Sequence, residues 1–181
     1  MKYPDGRSTA LEDAPRFTKL SYGFTRLQDV VTGRLLAYLS LRGQAVADNL
    51  DTTEQFRLGG ADGVRAFPSG EGTGDIGTVA SVELRLLPPE AWFGRAAREM
   101  VFSVFVDGGS VQYRYRPRAG ATPVATSNTA TFSGAGLGVT WVRAGAYALR
   151  LGAAKPISGT SRSGDQSRDV RFYLQASKFF N

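Results

Sequence analysis

The sequence predicts an all-β protein, an antiparallel β-barrel of the kind that crosses a membrane with strands. Three observations lead there. About seven segments of roughly ten residues alternate apolar with polar side chains, the period of a strand with one apolar face. Clusters of Gly, Pro, Asp and Ser separate them, and Gly occurs 22 times in 181 residues, which is strand punctuation rather than helix. Although 42% of the residues are hydrophobic, no run approaches the ~18 apolar residues of a membrane helix, whereas a spanning strand needs only about 9–11. The alternation alone fits a soluble sandwich or lipocalin-like barrel equally well. Motifs further along separate the two.

Residues 1–15 are polar, contain Pro4 and Pro15, and read as a leader; the stretch from Met1 to Gly6 lacks the apolar core of a secretory signal. Residues 16–27 alternate, with Leu20, Tyr22 and Phe24 opposite Lys19, Ser21 and Gly23. A turn over 29–33 leads to 34–44, where Leu35, Ala37, Leu39 and Leu41 oppose Arg34, Ser40 and Arg42, so the pair predicts a hairpin. Residues 45–77 form a Gly- and Asp-rich connection, far above the ~4–6 residue median of ordinary loops, and its length calls for a functional reason.

In 78–87, Ala80, Val82, Leu84 and Leu86 face away from Ser81, Glu83 and Arg85, and Pro88-Pro89 ends the strand. Trp92 and Phe93, in 90–98, suit a membrane boundary and equally an ordinary loop. Residues 100–108 put Phe102, Val104 and Val106 on one side, with Val101, Ser103, Phe105 and Asp107 on the other. A basic connection over 113–127 precedes 131–143, where Ala135, Leu137, Val139 and Trp141 alternate with Gly134, Gly136, Gly138 and Thr140. Those glycines predict little room on their side. After a tight turn at Ala144-Gly145, residues 146–156 show Tyr147, Leu149 and Leu151 against Arg150 and Gly152. The last segment, 169–180, sets Val170, Phe172, Leu174, Ala176 and Phe180 against Arg171, Tyr173, Gln175 and Ser177.

The chain contains no Cys and no His, which removes disulfides, thiolate nucleophiles, the usual zinc ligands and imidazole acid–base chemistry. No enzyme activity, metal or cofactor is expected. The formal charge of +6 is carried by cations such as Arg34, Arg42, Arg85, Arg150 and Arg171, spread through the strand segments rather than gathered in a stripe. That distribution favours a polar lumen over a nucleic-acid surface. Gly134-Ala135-Gly136-Leu137-Gly138 lacks the spacing, helix and acidic residue of a dinucleotide site, and 70–77 lacks the Lys-Ser/Thr of a phosphate loop. The carboxylate pairs Asp62 with Glu71 and Glu83 with Asp107 come with no sign of a pocket for glycosidase-type chemistry.

Within the long connection the chain reads Phe56-Arg57-Leu58-Gly59-Gly60-Ala61-Asp62-Gly63-Val64-Arg65-Ala66-Phe67-Pro68, then Gly70-Glu71 and Gly74-Asp75-Ile76-Gly77. This resembles the loop of two-partner secretion transporters, the ShlB/FhaC/HecB family of haemolysin secretion and activation, which is related to the BamA barrel-assembly insertases. The family tip, Val-Arg-Gly followed by Tyr or Phe, corresponds to Val64-Arg65-Ala66-Phe67, with Ala66 in place of the commoner Gly. Its second motif, Phe-x-Asp-x-Gly, corresponds to Phe105, Asp107 and Gly109.

The resemblance implies that the loop folds back into the barrel lumen and that Arg65 meets Asp107 there. It also implies a C-terminal barrel-assembly signal on Phe172, Leu174 and Phe180, although Asn181 follows the aromatic. Residues 16–181 would be the C-terminal part of a larger barrel, about seven or eight strands, in the bacterial outer membrane. Its partners would be outer-membrane lipid, the barrel-assembly machinery and, in the full-length context, a secreted β-helical exoprotein. Signal peptide, plug helix, POTRA domains and first half of the barrel have no counterpart in the sequence, so either a segment of a transporter or copies closing together is expected. Two other readings are a small self-contained or oligomeric barrel acting as a passive pore or structural protein, and a basic β domain binding nucleic acid.

Overall fold

A computed structural model describes residues 17–117, 127–159 and 170–180. The expected leader 1–15, Arg16, residues 118–126 of the basic connection, Asp169 and Asn181 lie outside them. The strands are β1 (Lys19–Val31), β2 (Leu35–Val46), β3 (Phe56–Arg57), β4 (Thr73–Gly74), β5 (Ile76–Leu86), β6 (Met100–Gln112), β7 (Thr129–Arg143), β8 (Tyr147–Ser158) and β9 (Arg171–Lys178). Seven of them form one antiparallel sheet in the order β1-β2-β5-β6-β7-β8-β9, while β3 and β4 pair separately inside the long connection.

Boundaries moved where the ladder overrides local preference. β1 continues to Val31, so the first turn is the tight 32–34, with Gly33 at φ 66. β6 runs on to Gln112, past the expected stop at Gly108, because Gly108 and Gly109 are paired on both sides, with Ala80 and Val79 and with Ser133 and Phe132. A central strand with two partners carries glycines that an isolated strand would not. The 90–98 segment is a short helix, α1 (Glu90–Phe93), followed by a 3-10 turn over Gly94–Glu99.

Cross-strand partners share a face, so the register lays out the outer surface in rows. Leu39, Val82, Val106 and Ala135 form one row, and Ala37, Leu84, Val104, Leu137, Ala153 and Phe172 the next. Leu35, Leu86, Phe102, Val139, Leu151 and Leu174 follow. Several of these side chains are open to the surroundings, Val82 at 54% and Phe172 at 80% of full exposure. A continuous apolar surface of this extent is what a lipid-facing barrel wall presents.

The band has recognisable edges. At the tight-turn end the Trp141 and Tyr147 rings meet edge to face, and Trp141 Nε1 and Arg143 Nε both donate to Glu99, at 2.9 Å each. These bonds, Arg143 first and Trp141 second, hold the Glu99 carboxyl below its ordinary pKa. Trp92 and Phe93 are exposed close by, with Phe93 stacked on Phe102. At the opposite end the row turns polar through Thr78, Ser110 and Thr131. Here Tyr22 lies across Gly43 and its hydroxyl meets Thr78 Oγ1 at 2.6 Å.

Val82→Arg on this face is expected to cost about 2–4 kcal/mol of folding stability in a bilayer, whereas Thr25→Arg, on the inner face of β1, should cost little. Urea midpoints in lipid would check this; equal costs would show the faces to be misassigned.

The compact core of the molecule lies on the inner face. It consists of Phe56, Leu58, Val64, Ala66 and Phe67 from the long connection, packed on Val79, Phe105, Val111, Phe132 and Ala154 of the sheet. One end of the sheet has the three-residue turns 32–34 and 144–146 and the connection 87–99 with its short helix, while the other has the connections 47–75, 113–128 and 159–170. The edge strands, β1 and β9, both run from the long-connection end to the tight-turn end.

Candidate functional site, a loop held on the inner face of the sheet

The loop is seated where the sheet has no side chains. A Cβ added at Gly134 would fall 2.3 Å from the Ala66 methyl, one at Gly109 2.6 Å from Leu58 Cδ1, and one at Gly77 2.2 Å from the Phe56 ring. Gly136 likewise leaves space for the Phe105 ring. Glycine inside a strand often marks such a close approach. The room that the β7 glycines leave, expected to be small, is filled by Ala66 and Phe105.

The loop itself is tightly folded. Leu58 and Gly59 donate to the carbonyls of Gly72 and Glu71, Val64 N returns to Leu58 O at 2.8 Å, and Phe67 N closes a turn on Val64 O. Gly60, at φ 116, takes a conformation that suits only glycine. At Gly63 a Cβ would lie 2.0 Å from Leu58 O, so only hydrogen fits there too. This turn projects Val64 to Phe67 onto the sheet, where the Phe67 ring stacks on Phe132 with centroids 4.2 Å apart.

Between those apolar contacts, Arg65 enters a polar recess prepared by β-register. Ser81 on β5 stands opposite Asp107 on β6, and Glu83 opposite Phe105, so one hydroxyl, two carboxylates and a ring surround one spot. Arg65 donates from Nε to Asp107 Oδ2 at 2.8 Å and from Nη2 to Oδ1 at 2.7 Å, the two-pronged geometry that fits guanidinium to carboxylate. Its Nη2 also reaches Ser81 Oγ at 2.9 Å and its Nη1 reaches Glu83 Oε2 at 3.1 Å. Asp107, with no exposed surface, additionally accepts the backbone N–H of Arg65 and the hydroxyl of Ser81.

The guanidinium carbon sits 3.2 Å from the Phe105 ring centroid, a cation–π contact that also excludes water. Burial opposes the charge on Arg65, but hydrogen bonds and charge from Asp107, then Glu83, outweigh it and raise its pKa above the ordinary arginine value. Arg85 continues the network, donating to Glu83 Oε1 at 2.9 Å while lying over Tyr38.

The other end of the loop has its own anchor, which sequence reasoning did not single out. Asp75 is fully buried and accepts from Gln55 Nε2 at 2.8 Å, Tyr115 N at 2.9 Å and Leu50 N at 3.3 Å, with Arg114 Nη1 3.9 Å away. One carboxylate thus joins the 47–75 and 113–128 connections. Gln44 adds bonds to the carbonyls of Glu54 and Asp75. From β9, Arg171 Nε donates to Ala66 O at 3.1 Å. Gly74-Asp75-Ile76-Gly77 figured in the loop resemblance, but nothing local to it assigned Asp75 these partners.

Of the residues singled out from sequence, Val64, Arg65, Ala66, Phe67, Phe105 and Asp107 meet at this one place. Gly59 and Gly60 form the turn behind the tip, and Gly109 receives Leu58. Phe172, Leu174 and Phe180 are exposed and belong to the outer face and the chain's end, away from the loop.

An antiparallel sheet with a lipid-facing outer surface and a long loop pinned to its inner surface defines a class, the outer-membrane β-barrel with a loop inside its lumen. Comparison with known proteins narrows the class. Residues 8–180 match the Omp85 superfamily domain. The chain is 27% identical over 142 residues to the heme/hemopexin transporter protein HuxB of Haemophilus influenzae (strain 86-028NP), covering 78% of this chain and 24% of HuxB. HuxB of Haemophilus influenzae strain ATCC 51907 matches over the same length at 26% identity. Among solved structures, CdiB from Acinetobacter baumannii superposes with a TM-score of 0.61 and 18% identity, covering 90% of this chain and 27% of CdiB; that likeness concerns the fold. The chain spans about a quarter of the length of these relatives. It belongs to the Omp85 superfamily, with distant homology to the two-partner secretion transporters, non-enzymatic proteins of the bacterial outer membrane.

Proposed function

We propose that this chain forms part of a protein-translocation pore of two-partner secretion, exporting and activating an exoprotein of haemolysin or adhesin type, with Arg65 and Asp107 as the latch of its gating loop. The observation that carries the reading is the two-pronged Arg65–Asp107 contact at 2.7 and 2.8 Å, which pins the tip of the loop to the inner wall. Outer-membrane barrels keep their longer connections outside, so the end bearing 47–75, 113–128 and 159–170 is the extracellular one in this reading. The partners are then outer-membrane lipid on the apolar rows, the barrel-assembly machinery at the C-terminal segment with Phe172, Leu174 and Phe180, and a β-helical exoprotein in transit.

The latch suits reversible gating. Removing one partner of a desolvated ion pair costs about 3–5 kcal/mol, and each ~1.4 kcal/mol is tenfold in an equilibrium. A folded Asp107→Ala barrel, produced in the outer membrane together with its exoprotein, is expected to release at least about tenfold less exoprotein into the medium. Wild-type export by that variant would refute the latch.

A further inference from the structure

The loop and the wall it lies on are opposite in charge. Residues 47–75 contain Asp48, Asp51, Glu54, Asp62, Glu71 and Asp75 against only Arg57 and Arg65. By register, the inner face of the sheet carries Lys19, Arg42, Arg85, Arg150 and Arg171 against Asp29, Glu83 and Asp107. Four cations rooted outside the loop reach onto it from different elements. Lys19 of β1 pairs with the Glu54 carboxylate. Arg42 of β2 donates twice to Asp62 O, at 2.6 and 3.0 Å. Arg114, after β6, donates to Leu50 O at 3.1 Å and stands 3.9 Å from Asp75. Arg171 of β9 donates to Ala66 O.

Resting on the pore reading above, we propose that the inner wall is a binding surface for an acidic polypeptide segment, and that the loop is its intramolecular stand-in. Withdrawal of the loop takes six carboxylates away, and with them the Glu54 partner of Lys19 and the carbonyls of Asp62, Leu50 and Ala66 that Arg42, Arg114 and Arg171 reach. Arg65 leaves with it, so Asp107 loses its cation while Glu83 keeps Arg85. The exposed strip is then basic from β1 across to β9, and a segment rich in Asp and Glu restores what the loop supplied. Exposed pairs of this kind are individually weak and screened by salt, which suits a passage that must release its cargo. Wall charge of one sign concentrates the opposite one in a confined space.

The test uses the purified complete barrel to which this chain contributes, placed in planar bilayers, in two variants that loosen the tip by different means. Arg65→Lys removes the guanidinium fork and keeps the charge; Gly134→Ala displaces the tip sterically and leaves every charge in place. Folding is checked by altered gel mobility of unboiled samples. Relative to wild type, each folded variant is expected to raise the chloride-to-potassium permeability ratio at least about threefold, and to be blocked by poly-L-glutamate at roughly tenfold lower concentration than by poly-L-lysine of equal length. Adding Arg42→Gln with Arg171→Gln should cancel both effects. An unchanged ratio, or preferential block by poly-L-lysine, overturns the acidic-segment proposal while leaving the pore intact. Folded protein that never conducts overturns the pore reading, and this proposal with it.

Discussion

Asp107→Ala is expected to destabilise the folded protein by about 3–5 kcal/mol, the range for breaking a buried pair by removing one partner. The side chain has no exposed surface and its two oxygens accept four hydrogen bonds, three of them from Arg65. Alanine would leave the Arg65 guanidinium, only 21% exposed, with Glu83 and Ser81 and without its buried counterion. Its backbone N–H would also lose its acceptor. Arg65→Ala should cost a similar amount for the mirror reason, since the buried carboxylate then loses its cation and keeps only the Ser81 hydroxyl and the backbone N–H of residue 65.

The double variant is expected to cost clearly less than the two single costs added together, because each single change already breaks the same contact. Urea midpoints of all four forms in lipid measure this, and strict additivity would show that the pair does not act as a unit. Trypsin offers an independent check: cleavage after Arg57 and Arg65 should speed up in the folded Asp107→Ala protein. Alkaline pH is not a route to the same state. The Arg65 pKa is raised in the folded protein, so its contribution is fully present below the unfolded arginine value and fades only as pH climbs past the still higher folded one.

The second large effect comes from a single methyl group. Gly134→Ala would place a carbon 2.3 Å from the Ala66 Cβ and 3.1 Å from Lys155 O. Both neighbours are constrained, Ala66 by the buried loop tip and Lys155 by its pairing opposite Ala135. The strain of overpacking is about 1–3 kcal/mol, and it is relieved by lifting the tip, which is held by side-chain contacts, rather than by breaking the β7–β8 ladder. Phe67 would then lose its stack on Phe132 and Arg65 would be lifted from Asp107, with no charge altered. Ala66→Gly, which removes the clashing methyl, should recover most of the loss in a Gly134→Ala background. Failure of that rescue, measured by the same urea midpoints, would mean that the tip does not seat on Gly134. Ala66 and Gly134 thus look like two halves of one fit, a methyl on the loop matched by a bare position on the strand.

Much of the sheet was legible because lipid on one side and a polar interior on the other impose a period of two on every strand. Val82, Val106 and Leu137 are apolar for one reason and Ser81, Asp107 and Gly138 are not for another, and the alternation records both. Strand ends were less legible. Gly108 and Gly109 read as a stop until partners on both sides are known, and the two-residue β3 and β4 are too short to show a period at all. For the site, alternation put Asp107 on the inner face, but its pairing with Arg65 across 42 residues was expected only from the family resemblance. Ser81 and Glu83 looked like ordinary polar-face residues, since their role depends on register with β6. Asp75 and Arg171 draw their partners from separate connections, and no local pattern encodes such a meeting.

The direction of the edge strands has a topological consequence. Seven strands joined as an antiparallel meander begin and end pointing the same way, and β1 and β9 do so here. A seam made by joining those two edges is parallel, whether within one molecule or between copies arranged around a common pore axis. Single-chain bacterial barrels have even strand numbers and antiparallel neighbours throughout. To close in that manner, this sheet takes an odd number of additional strands, the first and last of which run opposite to β1 and β9.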